Sequence, residues 1–499
     1  MLSLGNELHG NELGRARMAQ LLRVAKAVDP SRLYAWGSNN FYGRLKAPSC
    51  GDFYTSMACG DEILRCTSPG MVGPLNENPP CESYNFDEGM RLVRQDYRGP
   101  VFGFEVGQYE VSPDFDEIDD FHGVTRAVNY DIVRRRVVEQ GMLPMWKRQV
   151  EATGEISLMC YREEVEAVLR TRGMSGLILL GLQDFPGQGT ALVGMLNAHL
   201  KAKPFDFARP ERFAAFYRSE LPLAMLPSRT FARNEPVSVP LAMANYGRKD
   251  ITGEVRWVLT GGGITEEGSL GAQTCPAGRV TDLGAAVLPL SRWTENTALV
   301  LTVHVAEHEN AYPLWVYADE PVRLPERVKT ARSLAEALPL LERGERVFLT
   351  PKADAESIPG AITSQFSTDF WSVGNFPQQG GGMGLLIDHA HPALAGFPTA
   401  DHTEWPWWQM SCGRAMILPR EVTPIVTVMD SYKFLRHMGL LFECRVGEGR
   451  LMCSGMGLME HQDRVEVRAL TAAILRYMDS DAFAPAVEVT PAQLSSIII

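Results

Sequence analysis

Residues 1–205 alternate between short apolar stretches of strand length, five in all, and amphipathic stretches of helix length. The strand-like stretches are LSLGNE at 2–7, RLYAWGSNN at 32–40, DFYTSMA at 52–58, GPVFGFEVGQ at 99–108 and SGLILLGLQDF at 175–185. In the first intervening segment Leu13, Met18, Leu21, Leu22 and Ala25 recur at helical spacing, and Asp29-Pro30 ends the pattern. Further helical patterns cover 87–97, 128–140 and 160–171. Strand and helix in alternation with short links predict a parallel sheet, because each parallel pair needs a crossover long enough to hold a helix.

The texture changes after Pro204. Residues 225–320 carry period-2 stretches such as PVSVPLAMANYG, GEVRWVLTGGG and ALVLTVHVAEH, separated by Gly-rich turns and without a helical pattern. They predict a β-sandwich. From about 325 helix and strand alternate again: ARSLAEALPLLERG precedes RVFLTP, PIVTVMD and LLFECRV follow, and VEVRALTAAILRYMD closes with a helix. This predicts a second α/β unit on an open sheet, followed by a tail over the last dozen residues. The expected division is therefore 1–205, 225–320 and 325–485, in keeping with a chain of 499 residues, too long for one core.

The net charge of −12 argues against a nucleic-acid surface, which needs clustered Lys and Arg. The nine cysteines are scattered and none has C-x-x-C spacing, so neither zinc nor a disulfide framework is indicated, and free thiols in a reducing, cytoplasmic setting are expected. The apolar run GLILLGL at 176–182 is far shorter than the roughly 18 residues a membrane span requires. Gly runs at 261–263 and 380–382 lack the Lys-Ser/Thr of a phosphate loop.

Two carboxylates stand at strand ends, Glu7 and Glu105. In a (β/α)₈ barrel chemistry gathers at such ends, where the loops converge. A pair of carboxylates about 5–5.5 Å apart is what retaining glycoside cleavage needs, one attacking the anomeric carbon and the other protonating the leaving oxygen. The neighbours suit a sugar. Asn6 adjoins Glu7, Gln108 and Tyr109 follow Glu105, Trp36 with Asn39 and Asn40 ends the second strand, and Gln183 and Asp184 end the fifth.

LGNE at 4–7, FEVGQY at 104–109 and LLGLQDFPGQGTALVGML at 179–196 resemble the catalytic barrel of glycoside hydrolase family 2, which includes β-galactosidases, β-glucuronidases and β-mannosidases. The resemblance implies that Glu7 is the acid/base after strand four and Glu105 the nucleophile after strand seven. It implies an architecture of a partial TIM barrel (strands four to eight), an immunoglobulin-like β-sandwich and a C-terminal domain similar to flavodoxin or glutamine amidotransferases. It places strands one to three ahead of Met1, so weak or no turnover is expected of this chain alone, and the open barrel edge favours homo-oligomers. The expected substrate is a carbohydrate, slightly favouring β-galactosides because no Asn-x-Lys uronate clamp is evident; no cofactor, nucleic acid or membrane is implied. The alternatives are a non-catalytic remnant or carbohydrate-binding module, or a working amidotransferase, the last opposed by the absence of a G-x-C-x-G elbow.

Overall fold

The computed structural model describes residues 1–498 apart from 9, 39–49, 60–61, 64–73, 82–83, 188–189, 373–375 and 378. Among them, strands β1 (Leu2–Ser3) and β2 (Tyr34–Ala35) pair in parallel, and a bridge between Asn6 and Ser38 carries the pairing further. Strands β3 (Tyr54–Ser56), β4 (Val101–Val106) and β5 (Gly176–Leu179) form a parallel sheet in that order. Asp52 stitches β2 to β3. Its N–H donates to the Tyr34 carbonyl at 2.8 Å, and its carboxylate accepts the Tyr34 N–H at 2.9 Å. Within the pair and within the triplet the strands are parallel and in chain order, and the Asp52 contacts join the two groups.

Helix α1 (Glu12–Val28) starts at Asn11, whose side chain accepts the Gly14 N–H at 2.9 Å, a standard N-cap. Its Leu22 is buried with Tyr34 and Trp36, and Lys26 pairs with Asp52 at 2.5 Å. The amphipathic stretches at 87–97 and 128–140 are helices α2 (Asp87–Asp96) and α3 (Val128–Glu139). The expected helix at 160–171 is longer: α4 spans Trp146–Arg170. From Ala152 to Leu158 every residue is buried, the polar Thr153, Glu155 and Ser157 included, so burial here does not follow an apolar stripe.

Residues 220–317 form two sheets around one core. One holds Val237–Asn245 between Arg279–Leu288 and Glu220–Ala224; the other runs Ile264–Cys275, Ile251–Gly261, Thr297–Val305, His308–Tyr317, Thr230–Ala232. Val239 and Leu241 of the first meet Val255, Trp257 and Leu299 of the second.

The C-terminal unit is built on an eight-stranded sheet. Val328–Ala331, Arg346–Leu349 and Gly449–Ser454 are parallel, and Met438–Val446 is antiparallel to the last of them, so the sheet is mixed. The expected tail is instead a helix, Pro491–Ile498. Leu494, Ile497 and Ile498, at i, i+3 and i+4, are buried against Leu341, Val347 and Cys444. Gly384, at φ 85, lets this unit approach α4: a Cβ there would lie 3.1 Å from the Ile156 side chain.

Candidate functional site

The C-terminal ends of the parallel pair β1 and β2 carry Asn6, Glu7 and Trp36, and the C-terminal ends of β4 and β5, at one edge of their parallel sheet, carry Glu105, Gln108 and Gln183. Glu7 and Glu105 share an uncommon backbone: both are left-handed, at φ 52 and 55. Glutamate has no local device that favours this region, so the surroundings impose it. Gln108, Thr190 and Trp371 are also left-handed, at φ 79, 61 and 52, so five of the nine non-glycine residues with positive φ among the described residues are Glu7, Glu105 and positions on or against the turns after β4 and β5.

The turn after Glu105 is fastened to α4 by one polar stripe. Thr153 accepts the Ser112 N–H at 3.0 Å, and Ser157 donates to the Tyr109 carbonyl at 3.2 Å. Tyr161 donates to the Val193 carbonyl at 2.7 Å. Glu164 Oε2 accepts the Gly107 N–H and the Tyr109 hydroxyl, both at 3.0 Å. Positions 153, 157, 161 and 164 are spaced to fall on one helix face, and this spacing of polar residues is the signal that could have found them in sequence. Gly107 is required twice over: its φ is 102, and a Cβ would lie 2.2 Å from the Tyr161 ring.

The expected site residues are placed as follows. Glu105 is 8% exposed and Gln108 1%, and neither polar atom of the Gln108 carboxamide has a hydrogen-bond partner among the described residues. Glu7 is exposed, its N–H donating to the Ser38 carbonyl at 3.0 Å, and Asn6 Oδ1 accepts the Ser38 hydroxyl at 3.1 Å. Trp36 is packed with Leu22 and Tyr34 beneath α1, and Tyr109 is buried beside Tyr161. Asp184 is buried in an ion pair with Lys203 at 2.8 Å and accepts the Gly194 N–H at 2.8 Å. Burial pushes its carboxyl above the usual range, opposed by Lys203. Gln183 is half-buried. Asn39 and Asn40 lie outside the described residues.

No residue pattern signals that the C-terminal unit reaches the turn after β4, yet residues 365–371 lie against it. Asn76 Oδ1 accepts the N–H groups of Phe366 and Ser367 at 2.8 and 2.9 Å. Tyr109 and Phe370 form an antiparallel bridge, flanked by Glu110 N–H to the Asp369 carbonyl at 3.0 Å and Trp371 N–H to the Gln108 carbonyl at 2.8 Å. Glu110 and Asp369 are wholly buried carboxyls. Burial, then the Asp369 charge, holds Glu110 well above the ordinary carboxylate range, against a hydrogen bond from Tyr432. Burial likewise raises Asp369 to about 7.

Two clefts lie elsewhere. One of about 410 Å³ is lined by Arg162, Arg229, Asn310, Trp315 and Trp405 among others, and a second of about 430 Å³ by Cys81, Tyr84, Arg170, Pro227 and Trp405 among others. Glu163 lines both; Glu7 and Glu105 line neither. Their charged walls are largely paired with each other: Arg162 with Glu166 at 2.9 Å, Arg229 with Glu163 at 2.9 Å. No helix among the described residues is long and apolar enough to cross a membrane.

Residues 235–318 match the family described as "Domain of unknown function (DUF8488)" and residues 329–499 the one described as "Domain of unknown function (DUF8487)". No curated protein matches the chain. Among solved structures it is similar to an FMN-binding β-glucuronidase of Faecalibacterium prausnitzii L2-6 (13% identity, 64% of this chain, TM-score 0.24). It is also similar to an endo-β-1,4-mannanase of Thermotoga petrophila (12%, 63%, 0.24) and to β-glucuronidase 3 of Bacteroides uniformis (14%, 65%, 0.23). The chain spans 42%, 64% and 38% of these three, in that order. At such TM-scores the likeness assigns no residue a role.

Proposed function

We propose that the protein is a retaining β-glycosidase, acting on a β-galactoside-like glycan from its end, with β1–β5 as strands four to eight of a (β/α)₈ barrel. The observation that carries this reading is the common setting of Glu7 and Glu105: two carboxylates, each at the C-terminal end of a strand in a parallel sheet and each with left-handed backbone. As strands four and seven of one barrel, β1 and β4 stand three strand spacings apart, roughly 14 Å on a flat sheet, and barrel curvature turns such strand-end side chains toward a common mouth.

In this reading the Glu105 carboxylate attacks the anomeric carbon while Glu7 gives its proton to the departing oxygen, leaving a glycosyl ester on Glu105. Glu7 then takes a proton from water, whose oxygen attacks the anomeric carbon and frees Glu105. Burial of Glu105 and the tethering of its following turn through Gly107 and Tyr109 hold the nucleophile in place. Asn6, Gln108 and Gln183 supply donors and acceptors for sugar hydroxyls at the same edge, with Trp36, Tyr109 and Asp184 supporting them.

The test is hydrolysis of 4-nitrophenyl β-galactoside by wild type, Glu7→Gln and Glu105→Gln. The reading predicts a loss of at least 10³-fold in kcat for Glu105→Gln. Azide should restore part of the rate to a Glu7→Ala variant. Unchanged activity or glycan binding in both glutamine variants would favour a carbohydrate-binding module.

A further inference from the structure

We infer that Trp371, carried by the C-terminal unit, is a sugar-contacting wall of the barrel's pocket, so that the glycan site is complete only when the C-terminal unit is docked. The inference rests on the glycosidase reading and adds a residue and a domain to it.

Trp371 is fixed next to the candidate nucleophile's turn. Its N–H donates to the carbonyl of Gln108, three residues after Glu105, at 2.8 Å. Its ring meets Phe185, which follows Gln183 and Asp184 beyond β5, with centroids 6.3 Å apart and planes at 40°. The preceding residue is clamped: Gln379 accepts the Phe370 N–H at 2.6 Å and donates to the Phe370 carbonyl at 2.9 Å. A docking loop has no need of such definition at a residue that merely fills space.

Two features at this point are unfavourable for packing alone. Trp371 is left-handed at φ 52, a conformation that bulky side chains rarely adopt. Its ring is half-buried, yet among the described residues the indole N–H has no hydrogen-bond partner, and the carboxamide of the adjoining Gln108, 1% exposed, has none either. Orphaned polar groups cost stability and are kept where something else satisfies them. A half-buried aromatic ring beside two unused donors and one acceptor matches the recognition chemistry of a pyranose: its C–H face stacks on a ring, and its hydroxyls take hydrogen bonds. Left-handed backbone shared by Glu105, Gln108 and Trp371 indicates that strain is held on both sides of the domain boundary.

The experiment is calorimetric titration of the full chain with the galacto-configured iminosugar deoxygalactonojirimycin. Wild type is compared with Glu105→Gln, Trp371→Ala and Trp371→Phe, with thermal melts on all four. The inference predicts at least about tenfold weaker binding for Trp371→Ala and an intermediate loss for Trp371→Phe, which keeps an aromatic face but no N–H. If Trp371→Ala fails to fold, Trp371→Phe decides. Binding within about twofold of wild type in the folded Trp371 variants, with Glu105→Gln weakened, overturns the inference and leaves the glycosidase reading standing. No binding by wild type, or wild-type binding by Glu105→Gln, overturns both.

Discussion

Glu164 Oε2 accepts the N–H of Gly107 at 3.0 Å, so a carboxylate buried in the middle of α4 fixes the backbone two residues after Glu105. The same oxygen takes the Tyr109 hydroxyl at 3.0 Å. Glu164 touches no reacting atom in the proposed chemistry; it is a positioning residue.

Glu164→Ala removes two buried hydrogen bonds to a carboxylate, a cost of about 1.5–3 kcal/mol for each. Steady-state kinetics with 4-nitrophenyl β-galactoside should show kcat reduced roughly 10²-fold, the scale of misplacing a catalytic group by about 1 Å. Glu164→Gln keeps an acceptor oxygen and should recover much of the loss. Equal impairment by both variants would point to the charge of Glu164, not its geometry.

At the docking seam Asp369 carries a pH dependence whose sign is fixed. Burial raises its folded-state pKa to about 7, with the Asp430 charge adding to the rise and Gln365, the Gly381 N–H and Arg436 opposing it. A carboxyl raised on folding contributes stability fully present below its unfolded pKa, and this is lost as pH climbs from about 4 to about 7. Asp369→Asn should therefore match wild type near pH 4 and be more stable by about 1–3 kcal/mol at pH 8, read from thermal melts across that range. A variant equally destabilised at both pH values would show that the side chain matters through its hydrogen bonds alone.

Arg229 is the clearest electrostatic tie between α4, the sandwich and the C-terminal unit. It donates to Glu163 and to the Pro313 carbonyl, both at 2.9 Å, and its guanidinium lies 4.9 Å from the Trp405 ring centroid. Burial lowers its pKa to about 9 and raises that of Glu163 to about 8. Arg229→Met takes away the cation nearest to the buried Glu163 among its described partners, leaving Arg170 at 3.8 Å, and should cost about 3–5 kcal/mol. Arg229→Met with Glu163→Gln should recover part of this in denaturant melts; additive losses would show that the two residues do not act as a pair.

What the sequence discloses follows from where its patterns are one-sided. Helices α2 and α3 were readable because each presents one polar face, and their observed bounds, 87–96 and 128–139, differ from the pattern by a residue. The part of α4 ahead of residue 160 gives a weaker pattern because polar Thr153, Glu155 and Ser157 are buried with its apolar residues, whereas the final helix carries helical spacing in Leu494, Ile497 and Ile498. Glu7 and Glu105 could be picked out as strand-end carboxylates, but not their shared left-handed backbone, which glutamate does not announce. Trp371 carries no local signal at all. Its position depends on hydrogen bonds to Gln108 that only the docked C-terminal unit can make.

The measurement that bears most directly on the central claim is trapping with a 2-deoxy-2-fluoro-β-galactosyl fluoride, followed by mass mapping of the labelled peptide. The account predicts one sugar per chain on the peptide containing FEVGQY, lost in Glu105→Gln. Label on another carboxylate, or turnover of 4-nitrophenyl β-galactoside undiminished in Glu105→Gln, would contradict it.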